Sequence, residues 1–124
     1  MKVYLCGPIN GMSDAEANDW RTEAKKRLPD TLDPMRRDYR GKEAESYREI
    51  VELDKIDVER SDVLLVLFGK PSVGTSMEIY HAWLHRVPVV VVCQAATVIS
   101  PWMRYHSTKI VHSFEDAYLW IEQL

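Results

Sequence analysis

"DVLLVLFGKPSVGTSMEIYHAWLHRVPVVVVC", residues 62–93, leaves an apolar strand, crosses a glycine-bearing loop, runs through a helix and enters a second apolar strand. "DVLLVLFG" is a near-continuous apolar run, and "VPVVVVC" is another of the length of a buried strand. Between them the spacing predicts a helix from about Thr75 to Arg86. Strands that alternate with helices in this way build a parallel sheet covered on both faces.

The alternation continues in both directions. "KVYLCG" reads as the first strand, closed by a glycine. A helix follows from Ser13 to Leu28, opened by Ser13 with Glu16 at capping-box spacing and ended by Pro29. Trp20, Ala24 and Arg27/Leu28 recur along it at helical intervals. "TLDP" is a weak second strand, "MRRDYRGKEAE" a polar, partly basic connection, and a further helix is expected from about Ser46 to Arg60. Beyond the opening stretch, "QAATVISPWMRYHS" is an irregular connection with room for a short helix. "KIVHS" is an edge-like fifth strand, and a last helix runs from after Ser113, with Asp116 at the capping position, to Leu124. Five such units suit a flavodoxin-like, Rossmann-like doubly wound α/β sheet of order 2-1-3-4-5. Strands one and three are then neighbours at the switch point. Residues 1–124 form one domain, without repeats or low-complexity tracts.

The totals narrow the function. A chain of 124 residues, 46% hydrophobic and 28% charged, has the composition of a globular domain with a single core. A formal charge of −3 gives no general attraction to polymeric nucleic acid or to an anionic membrane, but leaves room for a locally positive site and a small anionic ligand. "MKVYLCGPIN" is not a secretory signal, and the longest apolar run is far below spanning length, so the chain reads as cytoplasmic. Cys6 and Cys93 form no CxxC pair, which removes zinc ribbons and redox dithiols. Each sits near the end of a predicted core strand, where a thiol behaves as a small apolar group.

Ligands of such sheets bind beyond the carboxyl ends of the strands at the switch point. The loops there are "GPINGMS" and "GKPSVGTS", which make Gly7, Ile9, Asn10, Ser72 and Gly74 candidate binding residues. Both loops enter helix N-termini whose free amides favour anions, and neither matches a Walker A or GxGxxG pattern.

Three polar residues stand out. Glu78 has two readings: the acid of a capping box with Thr75, its carboxylate reaching back over the first turn, or a group for chemistry. In "SYREIVELDKIDVERSD", Tyr47, Ile50, Val51 and Val58 fall on one side of the helix as a core-facing stripe, with Asp54 in its middle. A carboxylate there is costly unless paired, so Asp54 is either a buried ion-pair partner or cap, or a working acid. Asp57 and Asp62 read as solvated or turn-forming. Tyr4 shares its side of strand one with Cys6, and Glu78 is within reach of its hydroxyl if strands one and three adjoin. Tyr4, Asp54 and Glu78 are therefore expected to converge on one cleft. Two carboxylates in different environments are what glycosyl transfer requires. Glu78, His81 and His85 also share a helix side, but Ala82 breaks the HExxH pattern. The histidines read as solvated, and no metal is expected. Trp83, Trp102 and Trp120 have two readings, contact residues between subunits or, the one favoured, ordinary core.

On "VYLCGPING", "LDKIDVERSDVLLV" and "PSVGTSMEI", in this order and spacing, the chain up to about Val92 resembles the nucleoside 2-deoxyribosyltransferase family, including its nucleoside 5′-monophosphate N-glycosidase branch. The resemblance implies that Glu78 is the nucleophile that attacks C1′ and forms a covalent glycosyl-enzyme. Asp54 is then the acid that assists departure of the base, and Tyr4 orients the nucleophile. A Glu78 on the first helical turn, held by backbone amides, would stay ionised. Transferases acting on free nucleosides carry an acid where this chain has Ser72, and "PSVG" resembles the monophosphate branch, with the serine on the 5′-phosphate. That branch has Ser and Arg in the first loop, where this chain has Pro8 and Asn10. Arg36, Arg37 and Arg40 are candidates to complete the phosphate clamp. Ser100, in "SPWMR", resembles a serine donated to a neighbouring subunit's phosphate. The resemblance implies no cofactor and a homodimer or larger homo-oligomer. The expected activity is cleavage of a (2′-deoxy)nucleoside 5′-monophosphate to free base and sugar phosphate. The alternatives are base exchange on free deoxynucleosides and a non-catalytic nucleotide sensor.

Overall fold

In the structure, a computed structural model describing residues 1–94 and 98–124, the apolar runs pair as one parallel sheet. Its strands are β1 (Val3–Cys6), β2 (Thr31–Leu32), β3 (Val63–Phe68), β4 (Val89–Cys93) and β5 (Lys109–Val111), in the order β2-β1-β3-β4-β5. This is the order expected. Of the connection after β4, residues 95–97 lie outside the described residues, and a short helix follows them.

Side-chain parity along the strands sorts the core into two layers. Val3, Leu5, Val63, Leu65, Val90 and Val92 point to the side covered by α1 (Asp14–Arg27) and α5 (Phe114–Glu122). Tyr4, Cys6, Leu64, Val66, Val89 and Val91 point to the side covered by α2 (Glu43–Arg60), α3 (Val73–Leu84) and α4 (Pro101–His106). Ser13 caps α1 in a capping box with Glu16, and Ser113 caps α5 by accepting from the Asp116 amide, as the sequence indicates.

Two helices begin earlier than expected, α3 by two residues and α2 by three. In α3 the cap is Ser72, whose Oγ accepts from the Thr75 amide at 3.3 Å. Thr75 is buried and its Oγ1 lacks a hydrogen-bond partner, so it cannot serve as the cap. Glycine in the first turn disguised this start, although a helix asks little of its first turn. The second helix, α2, starts at Glu43, after Gly41 has turned the chain at φ +84°. Its 18 residues span about 27 Å, against about 20 Å for the six residues of β3. The N-terminal half of α2 therefore extends past the strand ends. Val58 reaches the core, but Tyr47 and Val51 are exposed and Ile50 is only partly buried. The apolar stripe continues beyond the sheet.

Two further expectations are corrected. Asp57 is 2% exposed and accepts from Arg36 and Arg37, each at 2.7 Å. Trp83 and Trp102 are exposed rather than core, because α4 covers only part of the face of α3; Trp120 packs against the core. Asp62 is exposed and accepts from the Lys2 amide at 2.6 Å.

The end of β1 is tied down by a buried arginine. Arg21 donates to the carbonyls of Ala17 at 2.5 Å, Gly7 at 3.1 Å and Leu5 at 3.4 Å, and lies 3.5 Å from Asp33. Its guanidinium sits 4.6 Å from the Trp20 ring centre. A Cβ at Gly7 would stand 2.9 Å from Trp20 Cζ2, and that indole is itself stacked on Phe114. Gly7→Ala is therefore expected to destabilise the fold by about 1–3 kcal/mol, read as a lower urea midpoint at unchanged slope.

Candidate active site

A cleft of about 490 Å³ opens beyond the carboxyl ends of β1 and β3. The β1 loop lines it with Gly7, Ile9 and Asn10, and the start of α3 with Ser72, Val73 and Gly74. Thr75 and Glu78 follow on α3, while α2 contributes Tyr47, Ile50, Val51 and Asp54. Glu78 and Asp54, 24 positions apart in the sequence, thus share one cavity. Tyr4 stands behind it on the α3-facing side of β1 and donates its hydroxyl to Glu78 Oε2. Cys6, on the same side of that strand, places its thiol 3.6 Å from Glu78 Oε1. Of the sequence candidates, Ser100 is elsewhere. It caps α4 by accepting from the Met103 amide at 3.1 Å, and lines a separate apolar cavity with Met77, Tyr80 and Trp102.

Glu78 is not a helix cap. It lies in the second turn of α3, beyond the free amides, and both side-chain partners come from β1. The backbone amides expected to keep it ionised are absent, and its affinity for a proton rises accordingly. Burial, then the neighbouring Asp54 charge, push Glu78 up to about 7, although the bonds from Tyr4 and Cys6 pull the other way. Asp54 is pushed up to about 6, also by burial, against the lowering influence of Arg37 at 3.4 Å. Burial and the adjacent Glu78 charge hold the Tyr4 hydroxyl well above its ordinary value, so it remains a donor. Between about pH 6 and 7 the two carboxylates hold about one proton between them.

Arginine readout was only partly visible in the sequence. Arg37 and Arg40 line the cleft, but Arg36 does not; it helps Arg37 neutralise the buried Asp57. Arg37 Nη2 thereby bridges Asp57 and Asp54. Arg40 pairs with Asp14 at 2.6 Å and Asp38 at 2.8 Å, both exposed and exchangeable for another anion. Cys6, Tyr39, Glu43 and Tyr47 were missed as site residues. The signal for Tyr47 was present, in the apolar stripe around Asp54, but periodicity cannot separate a core face from a cleft face. The thiol of Cys6 could have been found from its parity with Tyr4.

No family model matches the chain, and no curated protein matches it by sequence. Solved structures do match. A 2-deoxyribosyltransferase from the psychrotolerant bacterium Bacillus psychrosaccharolyticus superposes with a TM-score of 0.78 at 15% identity, over 95% of this chain and 90% of that one. A conserved protein from Enterococcus faecalis V583 gives 0.74 at 21% identity, over 98% and 97%. A CMP N-glycosidase from Clostridium botulinum gives 0.61 at 14% identity, over 98% and 99%. The chain shares the fold of these proteins along nearly its whole length.

The raised Glu78 value has a consequence for stability. The folded chain binds this proton more tightly than the unfolded chain, so folding loses free energy as pH rises from 4.5 through about 7. Discounted for the residue's partial access to solvent, the cost above pH 7 is about 2 kcal/mol. Glu78→Gln removes it. The variant's Tm is expected to exceed that of the parent at pH 8, with the difference shrinking toward pH 4.5 in thermal melts. A capping role would instead make the variant less stable at both.

Proposed function

We propose that this chain cleaves the N-glycosidic bond of a (2′-deoxy)nucleoside 5′-monophosphate, with Glu78 as nucleophile, Asp54 as acid and Tyr4 orienting Glu78. The observation that carries the reading is the convergence of two carboxylates of raised proton affinity on one cleft, one of them gripped by a tyrosine. The fold shared with a 2-deoxyribosyltransferase and a CMP N-glycosidase supports it. A Glu78 oxygen attacks C1′, and the electron pair of the C1′–N bond leaves with the base, which takes the proton of Asp54. Water, giving its proton back to Asp54, then displaces Glu78 and completes hydrolysis. A second base in place of water would give transfer.

Support for a phosphate comes from the rim. The Ser72 hydroxyl accepts from the Thr75 amide and keeps its own hydrogen to donate. The first turn of α3 presents its free amides there, and Arg37 and Arg40 supply positive charge. The phosphate also resolves a conflict in the acid–base order. In the free protein both carboxylates hold a proton more tightly than usual, whereas the proposed roles need Glu78 ionised and Asp54 protonated. A phosphate that draws Arg37 away removes what holds Asp54 down. Positive charge growing at C1′ favours an ionised Glu78. Substrate thus sorts the shared proton onto Asp54.

The implied oligomer belongs to the same reading. Tyr80, Trp83, Trp102 and Tyr105 form an exposed aromatic patch beside Ser100. A second copy seated there would bring Ser100 toward another chain's site. Light scattering is expected to find at least two chains per particle, and Trp102→Ser to yield monomer.

Incubation with dCMP, dUMP, dGMP, CMP and free deoxynucleosides, followed by chromatography for free base, tests the activity. Release from a monophosphate is expected, and an added second base separates transfer from hydrolysis. Binding without release would favour the sensor. Glu78→Gln should lower kcat by at least about 10³-fold, and Asp54→Asn by about 10²–10⁴-fold. The profile of kcat/KM should be a bell peaking between about 6 and 7. Its alkaline limb, where Asp54 loses the proton, should lie higher in kcat than in kcat/KM.

A further inference from the structure

Away from the cleft, α2 and α3 meet again at Glu59, His81 and His85. The sequence had grouped these histidines with Glu78, but Glu78 turns toward β1, and the carboxylate that faces them comes from the last turn of α2. His81 Nε2 lies 2.8 Å from Glu59 Oε2, and His85 Nε2 lies 3.9 Å from Glu59 Oε1. The imidazole centres are 4.3 Å apart, and one donor atom from each of the three residues falls within 4.8 Å of the others.

We propose that Glu59, His81 and His85 form a three-ligand site for a divalent transition ion of the zinc class. Tetrahedral zinc with bonds of about 2.0–2.1 Å sets its ligand atoms about 3.3 Å apart. The observed 2.8 and 3.9 Å to the two Glu59 oxygens bracket that spacing, and with all three ligand atoms within 4.8 Å of one another side-chain adjustments of at most about 1.5 Å suffice. The tautomer of His85 is already suitable. Its Nδ1 lies 2.9 Å from the His81 carbonyl, which can only accept, so Nδ1 carries the hydrogen and Nε2 keeps its lone pair toward Glu59. The spacing of His81 and His85, one helical turn apart, presents both rings on one face of α3. The Glu59 carboxylate already turns one oxygen to each histidine. Two imidazoles with one carboxylate select zinc, nickel or copper over magnesium or calcium, and leave a fourth position to water or to another molecule. The site bolts the end of α2 to the end of α3. These helices carry Asp54 and Glu78, but the proposal does not depend on their chemistry.

The test uses the whole chain without a histidine tag, stripped with chelator and titrated calorimetrically with ZnCl₂ at about pH 7.5. One ion per chain is expected, with a rise in Tm in the presence of excess zinc. His85→Ala and Glu59→Gln should each weaken binding by at least about 30-fold and abolish the rise in Tm. Both residues lie at the surface, and with chelator present both variants should melt with the parent. MgCl₂ should neither bind nor compete. The proposal is overturned if zinc gives no saturable binding up to about 1 mM, if both variants bind as tightly as the parent, or if magnesium competes on equal terms.

Discussion

The hydrogen bond from Tyr4 to Glu78 joins residues 74 positions apart and exists because β1 lies beside β3. A doubly wound sheet reverses its strand order at that point, and α3, which follows β3, packs against the strand that began the chain. Parity does the rest. Tyr4 and Cys6 occupy the even positions of β1, paired with Leu64 and Val66 in the layer under α3, and the odd positions face α1 and α5. A one-residue slip of β1 would turn Leu5 toward Glu78 and leave a carboxylate among apolar side chains with no donor. The register of the central pair is therefore also the register of the site.

A second constraint concerns charge. The connection from β2 to α2 carries Arg36, Arg37 and Arg40, and α2 answers with Asp57 and Asp54. Asp57 is the anchor: a carboxylate this buried is tolerated because two guanidinium groups reach it. Its effect is to hold Arg37 at the edge of the cleft, where the same guanidinium lies against Asp54. On the other side of the sheet, Arg21 fastens the carbonyls at the end of β1 and approaches Asp33, which in turn caps the turn at Pro34–Arg36. The end of β1 and the start of the β2–α2 connection are thus fixed by ion pairs and hydrogen bonds with buried partners.

These two constraints explain what could be read in the sequence. Strand order, the placing of the switch point and the convergence of Tyr4, Asp54 and Glu78 follow from apolar runs and parity, which are local signals. The start of α3 was misread because "PSVGTS" looks like a loop when glycine is counted, although Ser72 caps it. The stripe on α2 was misread because Tyr47, Ile50 and Val51 have the periodicity of a core face. Nothing in one helix says how far it outruns the sheet. Asp57 was misread, and Glu59 passed over, for a different reason. Their partners are 20 and 22 positions away, and no spacing rule within one element can pair a carboxylate with a donor on another. Long-range charge pairing becomes legible only after the packing is known.

The remaining tension is between burial and reactivity. Glu78 is surrounded so closely that it keeps its proton up to about pH 7, and in the proposed reaction a protonated acid is a poor nucleophile. Hydrogen bonds from Tyr4 and Cys6 oppose this preference without overcoming it. A backbone cap would have kept the carboxylate ionised and well solvated by amides, but would also have aimed it at its own helix. Withdrawn from the amides and held by β1 side chains, it faces the cavity with its charge poorly compensated. In the proposed reaction such a group gains most from a cation that appears late, as the bond to the departing base breaks. The instability of the charge in the empty cleft and its usefulness in a filled one have a single cause, the low polarity of the walls that α2 and β1 place around it.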